Sequence, residues 1–165
     1  MKIQPVCAAV FDCNIYLQAA ARPNSPAGEC LRLAENGIVT LFTSQDILTE
    51  ISEVLRRPKI QKQFSELNDK SVDLFLEKVR GFSHFVKQVP LKFNLPRDVD
   101  DEPYINLAIE IKADYIVSRD NDLLILMTGS TDEAKEFRQR FRLIKVIEPL
   151  EFLEEVRRLE NKSDG

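Results

Sequence analysis

Four acidic residues far apart in the chain, Asp12, Glu50, Asp101 and Asp120, stand where carboxylates can converge on a divalent cation. Carboxylate oxygens are hard ligands, and a set of them with no histidine or cysteine among them suits Mg²⁺ or Mn²⁺. Brought within several ångströms without a cation, such groups repel and raise one another's pKa. With one or two ions they have a familiar use: water becomes hydroxide, and the attacking and leaving oxygens of an in-line displacement at phosphorus are stabilised. That is phosphodiester hydrolysis. Asp122 is a further metal-ligand candidate, and Asn14, Ser44 and Ser118 are candidate hydrogen-bond supports.

The elements that must position these groups follow from the pattern around them. Between Asp98 and Asp122, Pro103 sits where a first helical turn tolerates proline, and Tyr104, Leu107, Ala108 and Ile111 follow at helical spacing. Tyr115 to Val117 is a short apolar strand. In a parallel α/β layer a helix runs antiparallel to the strands, so Asp100 and Asp101 are expected to approach Asp120 and Asp122. Val6 to Phe11 reads as a strand buried on both faces, ending at Asp12. Ile15 to Ala21 and Ala27 to Asn36 read as helices, and Ile38 to Thr43 as the second strand. Ser44 caps a helix reaching about Arg57, with Ile47, Leu48, Ile51, Val54 and Leu55 as its apolar stripe. Glu50 falls about 40° from Val54 on that helix, at the margin of the stripe, whereas Glu53 points away. All four carboxylates then face the carboxyl edge of one sheet, where open α/β sheets bind ligands.

The rest of the chain reads as support. Lys59 to Asn68 and Ser71 to His84 are expected helices, the phenylalanines of the second serving the core rather than stacking bases. Phe85 to Val89 is a short strand, Leu91 to Arg97 a loop, and Leu123 to Met127 an apolar turn or short helix. A surface loop spans Thr128 to Asp132, a charged helix Glu133 to Arg142, and a final strand Leu143 to Ile147. Pro149 opens the last helix, and the tail from Glu160 to Gly165 is expected to fray. The fold class is α/β: one domain over residues 1–155, with 156–165 the end of the last helix and the frayed tail.

Composition narrows the function. A chain of 165 residues, 44% hydrophobic, suffices for one domain with a real core. A net charge of −4 gives no global basic signal, so any nucleic-acid contact must be local. Candidate cationic guides for a phosphate substrate are Arg22, Arg56, Arg57, Lys59, Arg97 and Arg119. No apolar run approaches the roughly 20 residues of a membrane span, and the first residues lack a signal peptide's layout, so a cytoplasmic protein is expected. Cys7, Cys13 and Cys30 are odd in number and lack metal-ligand spacing, as reduced thiols do. His84, the only histidine, lies on a predicted helix without a partner, which with the absence of Gly-x-Ser-x-Gly disfavours a histidine triad. No glycine-rich phosphate loop is present. Any one aspartate at a strand end is ordinarily a cap or turn residue, and Asp98 and Glu102 are read as solvated or capping acids. Four acids placed on one edge by independent routes make a site.

The ordered motifs resemble those of a known family. They are Asp12-Cys13-Asn14; Ser44 with Ile47-Leu48-x-Glu50 and Val54 to Lys59; Asp98-x-Asp100-Asp101 with Ala108; Ala113 to Ser118 with Asp120 and Asp122-Leu123-Leu124; and Ile147-x-Pro149-x-Glu151-Phe152-Leu153. This set resembles PIN-domain proteins, nearest the branch described as toxins of toxin–antitoxin systems, over about Val6 to Glu155. The resemblance implies a three-layer α/β/α sandwich with a central parallel sheet and Mg²⁺- or Mn²⁺-dependent ribonuclease chemistry. It implies Asp12, Glu50, Asp101 and Asp120 as the acidic quartet with Asp122 near them, an RNA substrate, a homodimer and a small inhibitory antitoxin. Met127 to Arg142 is longer than the usual link before the last strand. Two alternatives remain: a non-cleaving nucleic-acid- or protein-binding module that keeps the acids for metal-stabilised structure, and a phosphoaspartyl protein, which would want a lysine near the site where none follows the key strands at a suitable place.

Overall fold

In the computed structural model, residues 4–163 are described, and five parallel strands form one sheet in the order β3-β2-β1-β4-β5. The strands are β1 (Cys7–Phe11), β2 (Val39–Ser44), β3 (His84–Val86), β4 (Tyr115–Val117) and β5 (Lys145–Ile147). The helices are α1 (Cys13–Ala21), α2 (Pro26–Glu35), α3 (Gln45–Leu55), α4 (Pro58–Gln63), α5 (Asp69–Phe82), α6 (Glu102–Ile111), α7 (Asn121–Leu124), α8 (Asp132–Arg140) and α9 (Pro149–Ser163). They cover both faces of the sheet, giving the expected α/β/α sandwich. Val10, Phe11, Ile116 and Val117 are wholly buried, as central parallel strands require.

Strand order reverses at β1, which has β2 on one side and β4 on the other. That switch point is where such sheets open a crevice beyond their carboxyl ends. The β1–β4 register pairs Phe11 with Val117, so the residues that leave the sheet there are Asp12 and Ser118.

Most elements lie within a residue or two of their expected places, and the differences have local causes. The helix expected over Lys59 to Asn68 stops at Gln63, because Asn68 and Ser71 form a reciprocal capping box that starts α5 at Asp69. His84 is not helical: Ser83 is extended, and His84 enters β3 opposite Phe42, its ring 5.3 Å from that phenylalanine. The last strand begins at Lys145 rather than Leu143, because Ile144 N–H bonds Phe141 O and turns the chain, leaving Leu143 87% exposed. α9 runs to Ser163, into the segment expected to fray, and residues 164 and 165 lie outside the described residues. Among the described residues no helix is long and apolar enough to cross a membrane.

Two devices hold the irregular segments. Asn106 on α6 accepts from the Lys92 and Phe93 amides at 2.7 and 2.9 Å and donates to Phe93 O at 3.0 Å, stapling the 91–97 loop. Phe93 then packs edge-on to Phe137 of α8, and Arg138 donates to Leu126 O and Gly129 O at 2.9 and 2.8 Å. The long link from Met127 to Arg142 is thereby packed against the core.

Candidate metal centre

Asp12 caps α1 and is buried, with both carboxylate oxygens committed. Oδ1 accepts from the Cys13 amide at 2.6 Å and Oδ2 from the Ser118 hydroxyl at 2.8 Å. Ser118 Oγ also accepts from the Asp120 amide at 2.9 Å, and Asp120 Oδ1 from the Asp122 amide at 2.9 Å. One chain of hydrogen bonds therefore ties the end of β1 to the turn after β4. Glu50, in the second turn of α3, accepts from the Tyr104 hydroxyl. Tyr104 is otherwise a buried core residue of α6.

Asp101 precedes α6 without capping it, and its side chain makes no hydrogen bond among the described residues although it is only 9% exposed. It faces other acids instead. Carboxylate oxygens of Asp98, Asp101 and Asp122 all lie within 4.8 Å of one another. Burial and the charges of Asp120, Asp12, Asp98 and Asp122 push the Asp101 carboxyl up to about 7. Burial also raises the Asp12 carboxyl above its ordinary value; the Ser118 and Cys13 hydrogen bonds oppose this, and the Asp120 and Glu50 charges add to it. Asp122 is raised by desolvation and by Asp98.

Six carboxylates thus share one edge at the switch point, and their mutual repulsion is the condition a divalent cation relieves. The donors are all carboxylate oxygens. The neighbouring Cys13 thiol is pushed up to about 12, by burial first and then by Glu50 and Asp12. This donor chemistry fits Mg²⁺ or Mn²⁺.

The tightest trio is not the expected quartet. Asp98, expected to be a solvated or capping acid, makes no cap hydrogen bond and joins Asp101 and Asp122. Residues 99–101 form a 3₁₀ turn, in which side chains three apart eclipse, so Asp98 and Asp101 share a side. Asp100, expected to approach Asp120 and Asp122, is exposed on the other side. The Asp98-x-x-Asp101 spacing was the available signal, usable only with a 3₁₀ turn assumed. Of the expected supports, Ser118 bonds Asp12; Ser44 Oγ instead accepts from the Ile47 amide at 3.4 Å as the α3 cap, and Asn14 is exposed with no side-chain bond to the acids among the described residues. Tyr104 as the partner of Glu50 had no signal, since its spacing already fitted the core face of α6.

The cationic candidates divide. Arg56 is tied to α5 through Asp73 and the Asp69 carbonyl, and to Ser52 at 3.0 Å, which makes it a structural clamp. Arg22, Arg57, Lys59, Arg97 and Arg119 are exposed.

A model of the PIN domain matches residues 8–122, a span that includes all six acids. An uncharacterized protein of Methanocaldococcus jannaschii, MJ1680, is 33% identical over 146 residues, covering 88% of this chain and 89% of that relative.

Proposed function

The chain belongs to the PIN-domain family, and from that premise we propose that it is a metal-dependent endoribonuclease that hydrolyses RNA phosphodiesters, acting as the toxin of a toxin–antitoxin pair. The observation that carries the hydrolase is a buried carboxylate, Asp101, left without a hydrogen bond and turned toward neighbouring acids at the sheet's switch point. An arrangement that costs folding energy in the bare protein is supported where a cation compensates it. The RNA preference, the toxin role, a small antitoxin and a homodimer rest on the motif resemblance.

Asp12, Glu50, Asp101, Asp120 and Asp122 would hold Mg²⁺ or Mn²⁺, with Asp98 joining them. The ion would activate water and stabilise charge on the phosphate oxygens. Ser118 fixes the Asp12 carboxylate and, through the Asp120 amide, the turn carrying the next two acids. Tyr104 fixes Glu50 by one oxygen, Oε1. Such outer partners keep first-line ligands oriented.

The test is cleavage of a mixed RNA pool with MgCl₂, MnCl₂ or chelator. The proposal expects cleavage with metal, none with chelator, and loss of cleavage in folded Asp12→Asn and Asp101→Asn proteins. No cleavage by the wild type even with Mn²⁺ would replace the nuclease with the non-cleaving module.

A further inference from the structure

Basic side chains are unevenly spread over this acidic protein. From Cys13 to Gly28 and again from Val54 to Ser65 the chain has no aspartate or glutamate, yet these stretches carry Arg22, Arg56, Arg57, Lys59 and Lys62. The fold sets the two stretches side by side. Between α1 with its following turn and α4 lies a groove of about 460 Å³. Its floor is apolar, formed by Leu17, Ala21, Ile60 and Phe64, and no acid lines it among the described residues. Two guanidiniums border it: Arg22 lies 5.5 Å from the Phe64 ring centre, and Arg119 donates to Gln18 Oε1 at 3.0 Å.

Arg119 also fixes where the groove leads. It stands in the chain between Ser118, which orients Asp12, and Asp120, so one end of the groove adjoins the acids. A bare acidic centre repels a polyanion, and a cationic wall beside it offsets that repulsion. Guanidiniums suit phosphate oxygens, and apolar or guanidinium planes suit a base face. A base face is available only in a strand that is not stacked in a duplex.

We infer that this groove is a subsite for one unpaired nucleotide of an RNA strand next to the scissile phosphate, its phosphate held by Arg119 and Arg22 and its base against the Phe64 side. The inference rests on the ribonuclease reading. Arg57, Lys59 and Lys62 are exposed on or beside α4, the helix that supplies Ile60 to the groove, and add positive charge near it without lining it.

The experiment compares Asp12→Asn protein, which cannot cleave, with the same protein carrying Arg22→Gln and Arg119→Gln. Binding of a fluorescein-labelled oligouridylate is read by anisotropy across a salt series. The expected result is at least about a tenfold loss of affinity, with the salt slope smaller by about 1.4 for two single-strand phosphate contacts. Annealing the strand to its complement should remove the difference, and Mn²⁺ binding by the double variant of otherwise wild-type protein should be unchanged. Equal affinity in the two proteins, or an equal loss with duplex, overturns the subsite. If wild type cleaves RNA and the double variant cleaves with the same kcat/KM, the subsite falls and the nuclease stands. If wild type fails to cleave but the double variant still loses single-strand binding, the nuclease falls and with it the place beside a scissile phosphate, while the groove stands as a single-strand binding site.

Discussion

Ser118 and Asp12 are 106 positions apart in sequence and bonded at 2.8 Å, because the β1–β4 register that pairs Phe11 with Val117 leaves them neighbours at the sheet's edge. The Ser118 hydroxyl serves two partners, donating to Asp12 and accepting from the Asp120 amide. Ser118→Ala should lower metal-dependent RNA cleavage by about 10- to 100-fold. Stability should fall by only about 1–3 kcal/mol, the scale of one lost bond to a charged group. Unchanged cleavage in steady-state assays would mean that Asp12 needs no such orientation.

Tyr104→Phe deletes the hydroxyl that donates to Glu50 and keeps the ring in the core. Freed from its anchor, Glu50 should hold a cation less well, with the apparent Kd for Mn²⁺ rising about tenfold in calorimetric titration. A wild-type isotherm would place Glu50's orientation elsewhere.

Neutralising Asp101 should stabilise the bare protein. Asp101→Asn removes one charge from a trio whose oxygens lie within 4.8 Å of one another, so the thermal midpoint in chelator should rise. The rise that Mn²⁺ gives the wild type by mass action should shrink or vanish. A midpoint that falls in chelator would show that Asp101 is a structural acid.

Burial holds the Cys7 and Cys30 thiols up to about 12, with Asp114 adding to the first and Glu29 to the second. Unfolded, each titrates near 8.5. The sign is that of an acid whose folded pKa is raised: the stability it contributes is fully present below the unfolded value and is lost as pH rises toward 12. Each thiol adds a slope of up to about 1.4 kcal/mol per pH unit across that window. Urea melts at pH 8 and pH 10 should therefore differ, and native protein at pH 8 should react slowly with a thiol reagent. Rapid labelling of the folded protein would contradict the burial.

Two backbone positions should respond with opposite signs. A Cβ at Gly28 would sit 2.0 Å from Pro23 O, so Gly28→Ala must displace the turn before α2, at a cost of about 2 kcal/mol or more. Lys112 ends α6 with φ at 54°, a left-handed conformation, so Lys112→Gly should gain about 1 kcal/mol. Chemical denaturation of both variants checks the pair.

Much of the fold was legible in the chain because its signals are local. The unbroken apolar runs of β1 and β4, the Ser44 cap and the proline after the Asp98 to Asp101 cluster each mark an element or its end without reference to distant residues. His84 misled because Ser71 to Phe82 has helical periodicity running up to it, while its strand identity comes from pairing with Phe42. Arg56 looked like a guide for substrate because nothing nearby in sequence announces Asp69 and Asp73 as its partners.

The sequence by itself determined that Asp12, Glu50, Asp101 and Asp120 lie at the starts of helices or ends of strands on one edge, since periodicity and caps set which end of each element a residue occupies. Only the tertiary structure decided how the acids group: a 3₁₀ turn set Asp98 beside Asp101 and turned Asp100 outward, parallel register gave Asp12 its serine, and helix packing gave Glu50 its tyrosine. The reason is physical. A carboxylate's partners are fixed by distances of a few ångströms between segments dozens of residues apart, and those distances are set by strand register and core packing rather than by any local preference of the chain.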